Sequence, residues 1–492
     1  MHYVEPCDRN QLSLANNMND WVSPDNVVRL IDVLVDQVVK AQPGCFANRG
    51  LQELGRKAYR PETLMKLYLY GYLNGICSSR KLERECYRNV ETMWLLGLLR
   101  PDHKTISDYR KDNPEAIRQI CLSFRGFLKE QGFIGGHTVA YDGTKLKANA
   151  SRETVKRTGL DKQLKKLETE LDKYLNQLQN NDIVEDIEEQ LNTLSVDYQV
   201  EPLLLQKIAE LQKQLETLQA QKEFMKSEGL DCYAPADPDA RIMKSRDGYI
   251  PAYNVQAGVD KKNKMIILAE VTNRPNDKAE LPANIDQTVA QTGIIPTVVE
   301  ADRGYANLDG IQAIEEKYEG TQCVVPLEKS PQEIKDQAAD LAFTYDPTND
   351  CYICSEGREL PLLTRNKKKR GELYNVYQGS CAGCPRKSSC TTSKRGRTIH
   401  RNVNKPWIDQ YKQRLTQPAI KKKILERKTV AEHPFGTLKY LLGKIPLRLR
   451  GMGKVQIEVD IITTAYDLKR LISLESMENL LFRVQNHSWV PR

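Results

Sequence analysis

No stretch of this chain approaches the roughly 20 consecutive apolar residues that cross a bilayer, which excludes a helical membrane span. The opening residues, Met1-His2-Tyr3-Val4-Glu5-Pro6, also lack the basic and long apolar regions of a signal peptide. A cytosolic chain is therefore the expectation, with its cysteines as thiols or metal ligands and not as disulfides. Nor does the composition have the low hydrophobicity and high charge of a disordered chain, since 40% of its residues are hydrophobic and 28% charged. With 492 residues the length allows about two to four domains, each able to bury a core. A large excess of one charge is missing too. The net charge of +8 is modest and points toward polyanionic more than acidic partners. The basic residues come in runs, Arg365-Asn366-Lys367-Lys368-Lys369-Arg370, Lys394-Arg395-Gly396-Arg397 and Lys421-Lys422-Lys423, any one of which reads equally well as a solvated loop or helix face.

Three separated stretches each carry a carboxylate at the end of an apolar run or on an expected helix. They are Val139-Ala140-Tyr141-Asp142-Gly143-Thr144, Val298-Val299-Glu300-Ala301-Asp302-Arg303-Gly304-Tyr305, and Ala431-Glu432-His433-Pro434-Phe435-Gly436 running on to Lys439. Taken singly, Asp142 and Asp302 could merely end strands, and Glu432 could lie on a solvated helix face. Converging from separate elements, three carboxylates can hold two Mg²⁺ ions, which choose hard oxygen ligands and keep sites open for water and phosphate. Such a metal pair suits in-line attack on a phosphodiester.

Along the chain, a leader and an amphipathic helix from Asp25 to Val35, started by Ser23-Pro24, precede a helical block over residues 60–130. Thr105 with Asp108 reads as a capping box opening a helix that carries Arg110 and Lys111, with Lys104 just before it. The block is either a helix-turn-helix that enters a major groove or a plain helical packing domain. A strand from Thr138 to Tyr141 ends at Asp142, after which apolar residues at heptad spacing (Leu164, Leu167, Leu171, Tyr174, Leu178; Leu204, Ile208, Leu211, Leu215, Leu218) predict a helical hairpin or antiparallel coiled coil turning near Asn180-Asn181-Asp182. The hairpin either packs on itself or serves dimerisation or DNA gripping. Strands at Tyr253–Val259 and Met265–Val271, joined by an Asp260-Lys261-Lys262-Asn263 turn, then resume the sheet. A helix over Leu281–Val289, a strand from Thr297 to Ala301, a helix over Leu308–Tyr318 and a strand at Cys323-Val324-Val325 follow, so the sheet is mixed α/β.

Cys351-Tyr352-Ile353-Cys354 and Cys381-Ala382-Gly383-Cys384 are two CxxC pairs whose inner cysteines stand 27 positions apart. Paired knuckles of this kind enclose structural Zn²⁺ in a closed thiolate set. Cys390 is an alternative ligand and His400 a weaker one; the other reading is reduced cysteines in a loop-rich insertion. Cys7, Cys45, Cys77, Cys86, Cys121, Cys232 and Cys323 lack such spacing and read as packing residues.

Taken together, these motifs resemble the DDE transposases of bacterial insertion sequences. Tyr141-Asp142-Gly143-Thr144-Lys145, Asp302-Arg303-Gly304-Tyr305 and Glu432-His433-Pro434-Phe435-Gly436-Thr437-Leu438-Lys439 are similar to that family's three acidic blocks. Asp237-Pro238-Asp239-Ala240-Arg241, Tyr253-Asn254-Val255-Gln256, Arg450-Gly451 and Ala465-Tyr466-Asp467-Leu468-Lys469-Arg470 match a common subgroup, as does His103-Lys104-Thr105-Ile106-Ser107 in its DNA-binding region. The resemblance covers nearly the whole chain. It implies an α/β fold: a ribonuclease-H-like mixed sheet flanked by helices, with an N-terminal helical domain, a helical-hairpin insertion and a zinc-ribbon-like insertion. Expected boundaries are 1–130 for the helical domain, 131–155, 229–330 and 416–475 for the core, 156–228 for the hairpin, 331–415 for the basic cysteine-rich insertion and 476–492 for a tail.

The resemblance also implies a function. Asp142, Asp302 and Glu432 would be catalytic and would bind Mg²⁺ (or Mn²⁺), cutting insertion-sequence ends and transferring the freed 3′-hydroxyl to target DNA. Lys439, seven positions after Glu432, would hold a phosphate on the same helix face. Lys104, Arg110, Lys111, Arg427 and Arg450 are the further expected DNA contacts. Some members carry a tyrosine and an arginine upstream of the glutamate, where this chain has Leu425 and Lys428, with Arg427 one place off. The implied partners are double-stranded DNA, both terminal inverted repeats and target, and a second copy of the chain on paired ends, with no membrane. The implied location is the bacterial cytoplasm, on the nucleoid. The alternatives are a nuclease of the same fold without strand transfer and a catalytically silent DNA-binding regulator.

Overall fold

The computed structural model describes residues 17–489 apart from 43–58, 152–153, 192–199, 246–247, 329–330, 370–371, 444 and 446. Cys7, Cys45, Arg370 and the first part of the expected leader lie outside the described residues. Six helices come first among those described: α1 (Val27–Ala41), α2 (Pro61–Leu73), α3 (Ser79–Arg88), α4 (Val90–Leu95), α5 (His103–Asp112) and α6 (Pro114–Glu130). Local chemistry starts them. Asn26 Oδ1 accepts the Val28 N–H at 3.0 Å ahead of α1, and Pro61 and Pro114 occupy first-turn positions where a missing N–H costs nothing. The start of α5 differs from the expected capping box. Asp102, not Thr105, is the cap, its Oδ1 accepting from Lys104 N at 2.9 Å and Thr105 N at 3.0 Å.

β1 (Thr138–Lys147) opens the central sheet. A short strand, β2 (Val155–Lys156), leads into α7 (Arg157–Leu191) and α8 (Val200–Ser227), and β3 (Cys232–Tyr233) pairs back with β2. The two long helices lie side by side, clipped at their base by Leu160, Met225 and Tyr233 and by Lys222 on Asp161 at 2.8 Å. Residues 180–182 are helical, so the hairpin does not turn there.

The sheet resumes with β4 (Arg241–Ser245), β5 (Gly248–Asp260) and β6 (Ile266–Thr272), followed by α9 (Glu280–Thr292), β7 (Val298–Ala301), α10 (Leu308–Lys317) and β8 (Gln322–Val324). β5 pairs antiparallel with β1 on one side and with β4 and β6 on the other, while β7 runs parallel to both β1 and β8. The mixed α/β sheet expected from the strand and helix pattern is present. The turn from β5 to β6 falls at 261–265, next to the expected Asp260–Asn263.

After α11 (Pro331–Ala338), a second sheet forms from β9 (Phe343–Asp346), β10 (Cys351–Cys354), β11 (Glu359–Lys369), β12 (Glu372–Gln378) and β13 (Thr398–Asn402), antiparallel and in chain order. One helical turn, α12 (Lys387–Cys390), precedes β13. Its small core is Tyr352, Leu360 and Tyr377. Four helices close the chain: α13 (Lys405–Thr416), α14 (Pro418–Leu442), α15 (Met452–Ile472) and α16 (Met477–Asn486). No described helix is long and apolar enough to cross a membrane.

The centre of the molecule is α15, buried on nearly every side. Asp467 Oδ1 accepts the Ile266 N–H at 2.8 Å, and Gln456 bridges Val271 N (2.7 Å) and Ala269 O (2.8 Å), so α15 satisfies the outer edge of β6 that would otherwise be an open strand. Toward the helical block it offers acids to arginines: Glu458 to Arg110 at 2.7 Å, and Asp460 to Arg118 at 3.1 Å and Arg125 at 3.3 Å. Residues of α1, α2, α6, the sheet and α15 belong to one continuous apolar core. Residue 130 thus marks where helices give way to β1, without a break in the core.

Candidate functional site

Strand register brings the first two acids together. Tyr141 stands beside Ala301 in the parallel β1–β7 ladder, so the next residues, Asp142 and Asp302, are neighbours where β7 ends. Adjacent strands lie about 4.8 Å apart, and the C-terminal edge of parallel strands is where α/β sheets place their sites. Period-two alternation then decides the face. Tyr141 points to the α9 side, its hydroxyl 2.8 Å from Thr288 Oγ1. Ala140 points the other way and packs with Val259, Val430 and Ala431. Asp142 shares the Ala140 face, which α14 covers, and Glu432 follows Ala431 on that helix. His433 is turned toward the core, its Nδ1 2.9 Å from the Tyr466 hydroxyl.

The three carboxylates sense one another. Burial pushes the Asp142 carboxyl up to about 6; Arg427 opposes this, while Asp302 and Glu432 add to it. Arg427 Nη1 is 4.0 Å from Asp142 Oδ2 and buried, without a hydrogen-bond partner. Asp302 Oδ1 accepts the Gly304 N–H at 2.7 Å, fixing the turn after β7, and Asp142 Oδ1 takes Gly143 N at 3.0 Å.

On the opposite face of the β1–β5 ladder, the Tyr141 side, lies a polar group on β5. Asn254 and Gln256 alternate onto one face, and Asn254 Nδ2 (2.7 Å) and Gln256 Nε2 (2.6 Å) both donate to Asp277 Oδ1. Gln256 is held in that sense because its Oε1 accepts from Tyr305 (2.5 Å) and Asn284 (2.9 Å). The Tyr305 phenol is pushed well up by burial, with Asp277, Asp142 and Asp302 adding to it. Asp277 was not among the expected site residues. It sits in the loop before α9, where nothing local distinguishes it. The period-two placement of Asn254 and Gln256 inside a buried strand was the signal available.

The expected DNA contacts divide. Lys104, Lys111, Lys439 and Arg450 are exposed, and Lys439 stands two helical turns from Glu432, about 10 Å along α14. Arg110 does not belong with them. It is buried, paired with Glu458 at 2.7 Å and donating to the Tyr72 hydroxyl at 2.7 Å, so it joins α5 to α15 and cannot reach a phosphate. Arg427 is likewise buried and faces Asp142 instead of solvent.

The cysteines regroup. Cys354, Cys381, Cys384 and Cys390 line one enclosed cavity of about 20 Å³, room for a single water or ion. Cys351 is not among them. The first CxxC is strand β10, in which residues three apart point to opposite faces; Tyr352 and Cys354 share the side of the small core, and Cys351 is buried on the other. The second pair does form a turn, with Cys384 N on Cys381 O at 3.4 Å and Gly383 at φ +66°. Arg397 N donates to Cys381 Sγ at 3.3 Å, and Arg358 Nη1 clamps Ala382 O at 2.7 Å. Burial pushes the Cys390 thiol up; nearby Arg397 opposes this, and the Cys381 and Cys354 sulfurs add to it. His400 is exposed on β13 and outside the cavity. As placed, no three His, Cys, Asp or Glu side chains among the described residues stand close enough to hold a metal ion, so either set would have to draw inward around one.

Comparison with known proteins fits this arrangement. Residues 16–112, the helical block, match a family described as Transposase domain (DUF772), and residues 353–472, which include Glu432 and Lys439, match Transposase DDE domain. No curated protein matches. A solved piggyBac transposase synaptic complex with hairpin DNA aligns over 94% of this chain and 79% of its own, at 9% identity and a TM-score of 0.31, a likeness too slight to carry weight. Two transposase families, one of them a DDE domain, thus match at opposite ends of one continuous fold.

Proposed function

We propose that Asp142, Asp302 and Glu432 form the catalytic centre of this transposase and hold two Mg²⁺ (or Mn²⁺) ions. The observation that carries the reading is the β1–β7 register, which sets Asp142 beside Asp302, with α14 bringing Glu432 over the same face. The donor set fits hard cations: carboxylate oxygens, with His433 turned away onto Tyr466 and Arg427 the cation that faces Asp142. When bound, the ions would supply an activated water and charge stabilisation at the leaving oxygen. The chain's own part is to hold and orient. Arg427 favours the ionised form of Asp142, and Lys439 holds a phosphate two turns along α14 from Glu432. Lys104, Lys111 and Arg450 anchor the duplex backbone. Water attacks phosphorus and the P–O3′ bond breaks, freeing a 3′-hydroxyl. That hydroxyl then attacks a target phosphodiester, one P–O bond forming as another breaks.

The strand order β6-β5-β1-β7-β8, antiparallel and then parallel, supports a ribonuclease-H-like core. The hairpin of α7 and α8 supports a second role, joining two protomers on paired inverted-repeat ends. Its seam is unfilled, with a cleft of about 740 Å³ lined by Leu167 and Leu218 among polar residues.

The test is cleavage of a plasmid carrying the gene's own flanking DNA, with Mg²⁺ or Mn²⁺, by wild type and by Glu432→Gln. Nicks at the repeat ends and a strand-transfer product, both lost in the mutant, are expected. Cutting without joining would identify a nuclease, and binding without metal-dependent cutting a regulator.

The cysteine cavity supports a structural Zn²⁺ held by Cys354, Cys381, Cys384 and Cys390, with Cys351 outside the set. Purified wild type and Cys351→Ser should each carry one zinc per chain by elemental analysis, and Cys390→Ser should carry much less. Zinc well below one per wild-type chain would sink this site. Zinc lost from Cys351→Ser but kept in Cys390→Ser would restore the paired CxxC set.

A further inference from the structure

We infer that the turn between β5 and β6 is the seat of α14, and that Lys261 in that turn is a positioning residue for Glu432. The inference rests on the reading of Asp142, Asp302 and Glu432 as the catalytic centre. Strand register fixes the first two acids alone; the third arrives on a helix and needs another anchor. The helix's own bonding is weakest there, because Pro434 lies inside α14 and removes a ladder bond from the turn that holds Glu432.

Two contacts, at Glu426 and His433, grip one flank of α14 two helical turns apart. At the first, Lys261 Nζ donates to Glu426 Oε2 at 2.8 Å and to Glu300 Oε1 at 3.4 Å. At the second, His433 Nδ1 meets the Tyr466 hydroxyl at 2.9 Å, and that hydroxyl donates to Lys264 O at 2.8 Å. With the Tyr466 proton spent on Lys264, His433 Nδ1 is the donor to Tyr466. Both grips thus end on the same turn. The turn is held in its own right: Lys262 Nζ donates to Gly132 O at 2.8 Å, Asn263 Nδ2 to Phe133 O at 2.7 Å, and Arg470 Nε to Asn263 O at 3.2 Å.

Strand alternation puts Lys261 on the face that α14 covers. Its N–H donates to Thr138 O at 3.0 Å, one step beyond the β1–β5 ladder, and Val259, two residues before it, packs with Ala140, Val430 and Ala431. Glu300 stands beside Ala140 in the β1–β7 ladder and shares that face. It is fully buried, two residues before Asp302 on the same strand. Its Oε2 has no hydrogen-bond partner among the described residues, so the Lys261 contact at Oε1 is what meets this carboxylate. Burial pushes the Glu300 carboxyl up and Lys261 opposes it, while the hydrogen bond from Lys261 holds the Glu426 carboxyl below its usual range. One ammonium therefore ties the strand that ends at Asp302 to the helix that carries Glu432. At about 3.6 residues per turn, Glu432 falls on the other flank of the buried stripe of Val430, Ala431, Pro434 and Leu438. A roll of α14 about that stripe would carry Glu432 away from Asp142, and the two grips oppose it.

The experiment follows Mn²⁺ binding to the full chain by electron paramagnetic resonance and single-turnover DNA cleavage, with DNA affinity and melting temperature alongside. Lys261→Met should bind DNA as wild type does, yet hold Mn²⁺ about tenfold more weakly and cleave about ten- to a hundredfold more slowly, the scale of a small misplacement of a reacting group. Lys261→Arg, which keeps the cation, should restore both. Tyr466→Phe, which releases the second grip, should weaken both in the same direction. Wild-type Mn²⁺ affinity and cleavage in Lys261→Met would overturn the inference and, with Glu432→Gln inactive, leave the three-acid centre standing. Cleavage by Glu432→Gln at the wild-type rate would overturn the centre and the inference with it. Losses that follow a lowered melting temperature and are not restored by Lys261→Arg would assign Lys261 to stability alone and overturn the inference. If Lys261→Met does not fold, Glu426→Gln decides: the same losses support the grip, and wild-type values overturn it.

Discussion

Asp142→Asn is expected to lower DNA cleavage by at least about 10³-fold, about 4 kcal/mol of activation barrier, while leaving the fold intact. The side chain ends on the α14-covered face, and its loss removes a half-buried proposed ligand without opening the core. Single-turnover cleavage with Mn²⁺ in excess measures the effect. Activity within tenfold of wild type would remove Asp142 from the centre. The same residue sets a pH dependence. Its carboxyl is raised to about 6 by burial, with Arg427 opposing and Asp302 and Glu432 adding. Because only the ionised form serves a cation, cleavage should fall as pH drops through about 6, a limb that saturating metal moves lower. The sign for folding is opposite. The folded-state value exceeds the ordinary 3.8, so the metal-free chain loses this group's contribution to stability as pH rises toward about 6. Arg427→Met, which takes away the opposing cation, should shift the acid limb of cleavage to higher pH. A limb that stays in place would separate Arg427 from Asp142.

Arg110→Met should destabilise the chain by about 3–5 kcal/mol, the usual result of removing one partner from a buried ion pair. Glu458 would remain fully buried, still accepting from Arg448 N (2.7 Å) and Leu449 N (2.8 Å) but without its cation, and the Tyr72 hydroxyl would lose a donor. Denaturant unfolding reads this directly. Lys104→Ala, an exposed change on the same helix, should leave stability within about 0.5 kcal/mol and weaken DNA binding. The reverse pattern, with Arg110→Met stable and poor at binding DNA, would return Arg110 to the interface.

These cases show what the sequence made legible. An acid that ends an apolar run can be recognised because a buried strand must stop where solvent or a site begins, so Asp142 and Asp302 were visible, as was the hairpin through its leucine spacing. A basic residue on a helix carries no mark of the side it faces. Arg110 was therefore read as a DNA contact, when α15 supplies Glu458 from 348 positions away. The cysteine spacing misled for a different reason. CxxC implies a knuckle only if the backbone turns, and Tyr352-Ile353 form a strand with period two, which sends Cys351 and Cys354 apart, so that Cys354 lines a cavity with Cys381, Cys384 and Cys390 instead.

The shared core around α15 also bears on how such a protein measures its substrate. A DNA-reading head on a tether can follow its site when the spacing to the cut changes. Here the helix bearing Lys104 and Lys111 and the sheet bearing Asp142 are joined through one buried helix and its arginine–carboxylate pairs. With a duplex held at α5 and its phosphate at the acids, as proposed, the span between them would be a property of the fold. The molecule would then work as a ruler, and one base pair inserted within that span would carry the scissile bond both along and around the helix, out of its reach.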